Sequence, residues 1–433
     1  MPPWEVAEEV RADESLEVGS QRVFKFPMGP IKMTWIAEHT GYEPPRFFSD
    51  KMVKGPFWSW NHDHHLVEEG GLTKVIDEVN YQVPFGALGN LADRMLGGIL
   101  VRGRISQMFK ARELRLQRDL SHHSKFSDLP RKRILVAGSS GTIGTQLVAF
   151  LDTGGHEVWR LVRKSTKKGR NELFWNPESG DLDPDILEGF DSIIHLGGEG
   201  IGDKRWSSDR KRAIRDSRVV STTLLSNAIS KMRKKPEVLI MASAIGWYGD
   251  RGEEELDEKS ESGSGFLPRT CIDWESAASE AVNAGVRTVF LRTGIVLTAT
   301  SGALGKMLLP FQIGAGGPMG GGKQWMSWIS LDDEIYAIHH LLMRRESDGV
   351  YNLTSPDPVR QRRFAKVLGR VLRRPAILPL PALAIKALFG EMGVSLTMES
   401  QKVLPNRLLE EGYDFLHTDL EKALRDTLGV WKF

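Results

Sequence analysis

Three glycines at a fixed spacing follow a short apolar run, Ile-Leu-Val-Ala at residues 134–137. In such a pattern Gly138 permits a tight turn out of a strand, Gly141 lets backbone amides approach a pyrophosphate at a helix N-terminus, and Gly144 lets helix and strand pack closely. The alternative is that the glycines form ordinary turns without a nucleotide. The pattern predicts a dinucleotide site. Its expected contacts are Gly138, Ser139, Ser140, Gly141, Thr142, Ile143 and Gly144.

A cation, Arg163, follows the next predicted strand, where an NAD site usually has an acidic residue for the ribose hydroxyls. Its guanidinium can pair with a 2′-phosphate through two hydrogen bonds and can stack on adenine. The further cations Lys164, Lys167, Lys168 and Arg170 fit a solvated basic loop. The sequence therefore favours NADP(H) over NAD(H).

A sheet must position these groups, and the chain after residue 133 alternates short apolar runs with segments of helical length. The runs are residues 134–137, 157–162, 192–196, 238–243 and 287–292. Continuous apolar runs are typical of parallel strands that are buried on both faces. We expect an α/β fold over residues 134–433, a Rossmann-type doubly wound parallel sheet with a small C-terminal substrate lobe at about 298–330 and 360–433.

The first part of the chain has a different pattern, with alternating apolar and polar residues at 32–38 and 74–83. An amphipathic segment follows at about 88–120. This order predicts an α+β domain over residues 1–125, a curved antiparallel sheet closed by a helix. The polar, basic stretch at 126–133 fits a linker to the second domain.

Composition narrows the function classes. Lys and Arg number 58 against 56 Asp and Glu, a formal charge of +2, so no strong field attracts nucleic acid or a membrane surface. The single cysteine, Cys271, cannot form an internal disulfide, which fits the cytoplasm.

The chain starts without a signal-peptide pattern. The apolar stretch at 377–394 is interrupted by Pro, Lys and Glu, which favours a buried helix over a membrane span. The sequence does not decide the oligomeric state.

Several longer motifs resemble those of the extended, atypical short-chain dehydrogenase/reductases known as the epimerase family. Besides the glycines, they are HLGGEGIGDKRW at 195–206, RDSR at 215–218, ASAIGWYGD at 242–250, LRTGIVL at 291–297, QWMSWI at 324–329 and VLP at 403–405. The resemblance covers about residues 133–433. It implies cofactor contacts near the nicotinamide and at the ends of the later strands. The residues concerned are Leu196, Gly197, Gly198, Glu199, Lys204, Ala242, Ser243, Arg292 and Gly294. For Glu199 and Lys204 a surface ion pair is the alternative.

The usual catalytic groups of that superfamily are missing. Its YxxxK pair falls here on Leu267 and Cys271, neither of which can transfer the proton in the usual way. Tyr248 and Ser243 are the candidate catalytic residues in their place. The alternative for Tyr248 is an aromatic residue that anchors its loop through the hydroxyl. Cys271 is a weak candidate nucleophile, since a lone cysteine on a helix is more often a small buried apolar residue.

A glycine-rich loop at 313–325 resembles the substrate loop of extended family members. Its glycines permit close backbone approach or motion, and polar and stackable groups follow them. The candidate substrate-binding residues are Lys323, Gln324, Trp325 and Trp328. They suit a small molecule such as a nucleotide-sugar-like compound; the alternative is a flexible lid with core tryptophans.

The N-terminal part resembles START-like, polyketide-cyclase-type helix-grip domains, through residues 47–60, 62–64, 79–86, 108–109 and 112. The resemblance implies a cavity for an apolar ligand. The first elements of that fold have no counterpart, so we expect either a sheet with an open edge or a start codon that lies upstream. On a strand, Trp58, Trp60, His62 and His64 would share one face. Two histidines without a third ligand are weak evidence for zinc, so we expect no metal.

Three functions remain open on these grounds. The first is an NADP(H)-dependent oxidoreductase or epimerase-like enzyme. The second is a catalytically inactive, cofactor-bound sensor or scaffold. The third is a carrier of apolar ligands whose nucleotide domain is a structural partner.

Overall fold

The structure is a computed structural model that describes residues 4, 8–13, 15–28, 31–84, 86, 89, 101–164, 166 and 171–431. The chain divides into two compact units, Met1–Arg115 and Leu116–Phe433. The division lies about ten residues before the expected end of the first domain. It falls inside one helix, Arg102–Ser124, here α1. The stretch expected to be a linker belongs to the second unit, where Lys132 is buried and Arg133 begins a strand.

The first unit is a six-stranded antiparallel sheet whose strands pair in chain order. The strands are β1 (Glu8–Ala12), β2 (Gln21–Met28), β3 (Ile31–Glu43), β4 (Phe47–Lys54), β5 (Ser59–Glu69) and β6 (Leu72–Gln82). The two predicted strands are confirmed as β3 and β6. The predicted helix corresponds to α1, with part of its expected first half lying outside the described residues. The helix-grip identity stays a prediction.

The second unit contains a seven-stranded parallel sheet in the order β17-β13-β11-β10-β7-β8-β9. Its strands are β7 (Arg133–Ala137), β8 (Glu157–Val162), β9 (Glu172–Phe174), β10 (Ser192–His195), β11 (Val238–Ala244), β13 (Arg287–Thr293) and β17 (Gly349–Leu353). All five predicted strands are present, because each is an apolar run that the helices cover on both sides. The predicted Rossmann-type sheet is confirmed.

Helices cover both faces of this sheet. They are α2 (Thr142–Thr153), α3 (Ser208–Lys231), α4 (Phe266–Ser276), α5 (Ser279–Asn283) and α7 (Leu331–Met343). Alternate residues of β7 point to opposite faces: Ile134 packs in a core with α2 and α7, whereas Leu135 packs in a core with α3, α4 and α5. The sheet is therefore doubly wound, and its strand ends are left to build a site.

The remaining elements lie outside this sheet, and several of them form a smaller lobe. They are α6 (Gly302–Gln312), α8 (Gln361–Leu372), α9 (Ala382–Thr397), α10 (Asn406–Glu410) and α11 (Leu420–Leu428), with the short strands β12 (Glu255–Leu256), β14 (Ile295–Leu297), β15 (Trp325–Met326), β16 (Trp328–Ser330), β18 (Val359–Arg360) and β19 (Lys402–Val403). Leu304, Trp328 and Phe364 lie in its separate apolar core. The lobe is thus stabilised by its own buried side chains.

The apolar stretch at 377–394 is not the buried helix expected from the sequence. Ile377 and Leu383 are 76% and 82% exposed, whereas Ile385 and Met392 are buried. Only one side of α9 packs on the lobe, and Gly390 breaks the helix with a φ of 63°. Among the residues that the structure describes, no helix combines the length and apolar character needed to cross a bilayer.

Candidate active site

The glycine motif forms a tight turn between β7 and α2. Gly138 has a φ of 82°, and a Cβ there would lie 2.7 Å from the Gly197 nitrogen. A Cβ on Gly144 would lie 2.2 Å from the Gly138 carbonyl oxygen. At Gly141 the nearest atom is that same oxygen, 3.4 Å away. Gly138 and Gly144 therefore serve the turn and the packing, and Gly141 leaves an open backbone surface.

This open surface fits a pyrophosphate. Gly141 is the N-cap of α2 and provides no side-chain hydrogen bond to the first amides of the helix. Ser140, Gly141 and Thr142 are exposed, whereas Ser139 is buried and Ile143 is half-buried. Helix N-termini bind anions through free amides and the positive end of the helix dipole.

The other predicted cofactor residues lie at the same edge of the sheet. His195 pairs with Ala137 on β7 and with Met241 on β11, so Leu196, Gly197 and Gly198 follow directly between these strand ends. Farther along the sheet, Ser243 pairs with Arg292. The carboxyl ends of parallel strands bind ligands in such folds. Ala242 and Gly294 lie at the same edge.

A buried ion pair dominates the far part of this edge. Arg292 Nε and Nη2 donate to the two Glu275 carboxylate oxygens at 2.9 and 3.0 Å. The Ser243 hydroxyl donates to Glu275 at 2.6 Å, and Arg292 Nη1 donates to the Tyr248 hydroxyl at 3.2 Å. The guanidinium also lies 3.7 Å from the ring centre of Trp247. These contacts connect β11, β13, α4 and the 3₁₀ turn Ile245–Tyr248.

The environment of Tyr248 and Ser243 argues against their predicted catalytic role. Tyr248 is fully buried, and its hydroxyl lies 2.7 Å from Asn352 Oδ1 and 2.9 Å from the Asp257 carbonyl. Burial raises the pKa of Tyr248 to about 12. Ser243 is 5% exposed, with its hydroxyl proton directed at Glu275. An acid or base must reach the substrate proton. The geometry therefore favours the alternative in which Tyr248 anchors its loop.

Neither residue at the YxxxK positions supplies that proton. Cys271 is buried, with Sγ 3.7 Å from the Ala244 carbonyl oxygen. Burial, and after it the Glu275 carboxylate, raises the pKa of Cys271 to about 12. A thiol in this state is neither a nucleophile nor a substitute for an ammonium group. Leu267 contributes only carbon atoms, close to Gly246.

Sequence reasoning missed one cation at this edge. Arg218 on α3 donates to the carbonyls of Glu199 and Ile214 at 3.0 and 2.9 Å, and its Cζ lies 4.9 Å from the Trp274 ring centre. A Cβ on Gly198 would come within 3.1 Å of that Cζ. Burial lowers the pKa of Arg218. The RDSR motif was the available signal, and it gave no role for its last arginine.

The remaining predicted cofactor residues are at the surface. Glu199 accepts a hydrogen bond of 2.7 Å from Arg210, which matches the surface ion pair weighed as its alternative. Lys204 is exposed. Arg163 is exposed at the end of β8, next to Lys164. The other basic residues of this loop, Lys167, Lys168 and Arg170, lie outside the described residues.

Two of the predicted substrate residues are structural instead. Trp328 is fully buried in the core of the lobe, and its indole donates to the Asp357 carbonyl at 3.0 Å. Gln324 is 7% exposed and donates to the Met319 and Thr397 carbonyls. The burial of both side chains argues against their predicted contact with a ligand: Trp328 fills the core, and Gln324 ties the glycine-rich loop to Thr397.

The other two predicted substrate residues, Trp325 and Lys323, remain accessible. Trp325 is half-buried, its indole donates to Glu253 at 3.1 Å, and Arg360 lies over its ring at 4.2 Å. Lys323 is exposed and lines a cleft of about 300 Å³ with Glu253, Arg360 and Arg362. Three of the four lining side chains are cationic, so the cleft suits an anionic ligand.

Comparison with known protein families adds an independent finding. Residues 134–354 match the model of the NAD dependent epimerase/dehydratase family, and residues 380–427 match a domain of unknown function called DUF1731. The first match covers the sheet and its glycine motif. The second covers most of the C-terminal part of the lobe.

Individual proteins are also similar. The epimerase family protein MT2273 of Mycobacterium tuberculosis is 40% identical over 67% of this chain and 96% of its own length. The crystal structure of the human epimerase family protein SDR39U1 contains NADPH, and its chain is 33% identical to this one. The match covers 68% of this chain and 99% of the human chain, with a TM-score of 0.64. A nucleoside-diphosphate sugar epimerase from Corynebacterium glutamicum covers 99% of this chain and 84% of its own, at 30% identity and a TM-score of 0.77.

Proposed function

Because the chain belongs to the NAD dependent epimerase/dehydratase family, we propose that it binds NADP(H) and performs hydride transfer on a nucleotide-sugar-like or small carbonyl substrate. The observation that carries this proposal is the turn from Gly138 to Gly144. Two of its glycines are packed against backbone, and the third opens a helix N-terminus to solvent. This is the arrangement that a dinucleotide pyrophosphate requires.

The residues fit the cofactor along its whole length. Gly141 and Thr142 would hold the pyrophosphate. Arg163 would hold the adenosine ribose with its 2′-phosphate, and Leu196 and Gly197 would contact the nicotinamide end. Bound NADP(H) supplies the hydride, or accepts it. The chain then has to orient the substrate, exclude water and provide a proton.

Preference for the phosphorylated cofactor rests on Arg163. It is an exposed cation at the end of β8, where a carboxylate would select the ribose hydroxyls of NAD. A planar guanidinium matches a phosphate with two parallel hydrogen bonds. The NADPH in the human relative's crystal structure supports the same choice for this chain.

For substrate chemistry without a YxxxK pair, the candidate cation is Arg218 on α3, which lies beside Gly198. It can stabilise negative charge on a substrate oxygen, although its high pKa makes it a poor proton donor. The cleft beside Lys323, Arg360 and Arg362 supports an anionic group on the substrate, such as a diphosphate.

A second function, a cofactor-bound sensor or scaffold, is favoured by a specific observation: the candidate acid–base side chains are buried or engaged in hydrogen bonds with other protein groups. The Tyr248 hydroxyl is covered, the Ser243 hydroxyl is directed at Glu275, and Cys271 is a buried thiol. A chain that binds NADP(H) without turnover would act as a cofactor-bound sensor or scaffold.

One experiment separates the two functions. The full-length protein, saturated with NADPH, is mixed with nucleoside diphosphate sugars and with small aldehydes and ketones while NADPH fluorescence is followed. The control is Gly141→Asp, which places a carboxylate at the open turn and whose Cβ would lie 3.4 Å from the Gly138 carbonyl oxygen. Substrate-dependent loss of fluorescence that Gly141→Asp abolishes supports the enzyme. Tight NADPH binding without turnover by any of these compounds supports the sensor.

A further inference from the structure

Two histidines and two aspartates meet on one face of the first unit's sheet. Asp50 on β4 pairs directly with His62 on β5, and His64 on β5 pairs directly with Asp77 on β6. Directly opposed residues of antiparallel strands point to the same face. Trp58, which the sequence placed on this face, precedes the strand and is 78% exposed. The histidines are 8% and 5% exposed.

Asp77 fixes the protons of both rings. Its Oδ1 lies 2.7 Å from His64 Nδ1 and 3.3 Å from His62 Nε2, and Arg112 lies 3.3 Å from the same oxygen. A carboxylate beside a guanidinium is ionised and only accepts hydrogen bonds. Both ring nitrogens that face Asp77 therefore carry hydrogen.

The opposite nitrogen of each ring is then the atom that a metal ion would meet. His62 Nδ1 and His64 Nε2 lie 3.8 and 3.6 Å from Asp50 Oδ1. These separations are longer than hydrogen bonds, and three electron-rich atoms face one another. The two ring centres are only 3.8 Å apart.

We propose that Asp50, His62 and His64 bind one divalent transition-metal ion, with Asp77 as the residue that orients both imidazoles. The three ligand atoms lie within 4.8 Å of one another. Ligands about 2.0–2.1 Å from a tetrahedral zinc ion are about 3.4 Å apart, and the two nitrogen–oxygen separations of 3.8 and 3.6 Å exceed this by a few tenths of an ångström. A carboxylate that hydrogen-bonds the second nitrogen of a metal-binding histidine is the usual supporting arrangement.

The ligand set selects the class of ion. Imidazole nitrogen favours zinc, iron and similar first-row ions over magnesium and calcium, which prefer oxygen ligands. Three protein ligands leave coordination positions for water or an organic molecule. Trp60 lies beside His62, with ring centres 6.4 Å apart, and Trp35 and Phe57 pack on Trp60. The ion would therefore adjoin an aromatic surface suited to an apolar ligand.

A second histidine group is a weaker candidate. His123, His156 and His339 are buried in the second unit with ligand atoms within 4.8 Å of one another. However, His156 Nδ1 accepts a hydrogen bond from the Lys132 amide, so its other nitrogen carries the proton. This group also has no carboxylate among its three members, and it serves as the internal control.

The test measures metal binding to the full-length, chelator-treated protein. Titration with Zn²⁺ by calorimetry and with Co²⁺ by visible absorption is expected to give one equivalent with mixed nitrogen and oxygen ligation. Asp50→Asn and His64→Gln, which keep the size of the side chain, are expected to abolish this binding. Asp77→Asn is expected to weaken it about 10–100-fold. The matched control is His65→Gln, because His65 is the neighbour on β5 that points to the other face.

Circular dichroism verifies that each variant keeps its sheet, and NADPH binding is expected to be unchanged because it uses residues of the second unit. The proposal is overturned if the wild-type protein binds no equivalent of Zn²⁺ or Co²⁺. It is also overturned if Asp50→Asn binds as the wild type does, or if His339→Leu removes the bound equivalent while His64→Gln retains it.

Discussion

Arg292 and Glu275 form a two-pronged ion pair at the carboxyl edge of the parallel sheet. The Nε–Oε1 and Nη2–Oε2 distances are 2.9 and 3.0 Å, and the side chains are 4% and 10% exposed. Glu275 also accepts the Ser243 hydroxyl, and Arg292 donates to Tyr248. Tyr248 and Ser243, the candidate catalytic residues of the sequence analysis, are therefore occupied in holding this edge together.

Breaking this pair should destabilise the second unit strongly. Arg292→Met leaves the Glu275 carboxylate buried without its partner, which costs about 3–5 kcal/mol. The measurement is urea unfolding monitored by tryptophan fluorescence. The double variant Arg292→Met/Glu275→Met should recover part of the loss, because no unpaired charge remains. A cost below about 1 kcal/mol for the single variant would contradict the assignment of a buried pair.

Removal of the Tyr248 hydroxyl should affect stability rather than cofactor binding. Tyr248→Phe leaves Arg292 and Asn352 each without one hydrogen-bond partner, at a cost of about 1–3 kcal/mol. NADPH affinity and any hydride transfer should stay close to wild type. A stable Tyr248→Phe protein that binds NADPH but loses turnover would restore the catalytic role predicted from the sequence.

Two glycines of the same motif should respond differently to alanine. In Gly144→Ala the new Cβ would meet the Gly138 carbonyl oxygen at 2.2 Å, so backbone must move and the protein should lose about 1–3 kcal/mol. Gly141 has a φ of −75°, and a Cβ there would lie 3.4 Å from the Gly138 carbonyl oxygen, so Gly141→Ala should fold normally. Its methyl group nevertheless covers the open turn and should weaken NADPH binding. Thermal melting and NADPH titration of both variants check this contrast, which equal melting temperatures would contradict.

Acid should destabilise the protein through its buried histidines. Burial lowers the pKa of His156 and His340 to about 4, and that of His339 well below its ordinary value. These groups take up protons in the unfolded chain near pH 6.5 but not in the folded one. Stability is therefore fully present above pH 6.5 and decreases as the pH falls toward 4, by about 1.4 kcal/mol per pH unit for each such group.

The variant His339→Leu isolates one of these contributions. His339 is fully buried, and neither of its ring nitrogens has a hydrogen-bond partner among the residues that the structure describes. Its replacement should reduce the loss of unfolding free energy between pH 6.5 and 5 by about 1–2 kcal/mol. Urea unfolding at a series of pH values provides the measurement. Parallel pH profiles for the variant and the wild type would mean that His339 binds its proton equally well in the folded and the unfolded chain.

Features that depend only on neighbouring residues could be predicted from the sequence. The strand β7 contains the continuous apolar run at residues 134–137, and the turn between Gly138 and Gly144 is specified by backbone sterics, so both could be identified without a structure. Cys271 has the buried environment that is common for a lone cysteine.

Features that depend on pairing between distant segments could not be predicted. Glu275 and Arg292 lie on different elements, and nothing in either neighbourhood shows that they meet. Asp50 and Asp77 approach His64 only through the register of three strands. Trp328 appeared as a stacking group because its loop is rich in glycine, whereas its ring fills the core of the lobe. Long-range register and tertiary packing decide these cases.

Binding of NADPH and NADH, titrated separately by fluorescence into the wild type and Arg163→Ala, tests the central claim most directly. We predict saturable NADPH binding that is at least about tenfold tighter than NADH binding, since a charge-assisted phosphate contact contributes about 1.5–3 kcal/mol. In Arg163→Ala the two affinities should become similar, with that for NADH nearly unchanged. No saturable binding of either cofactor to the wild-type protein would contradict the claim.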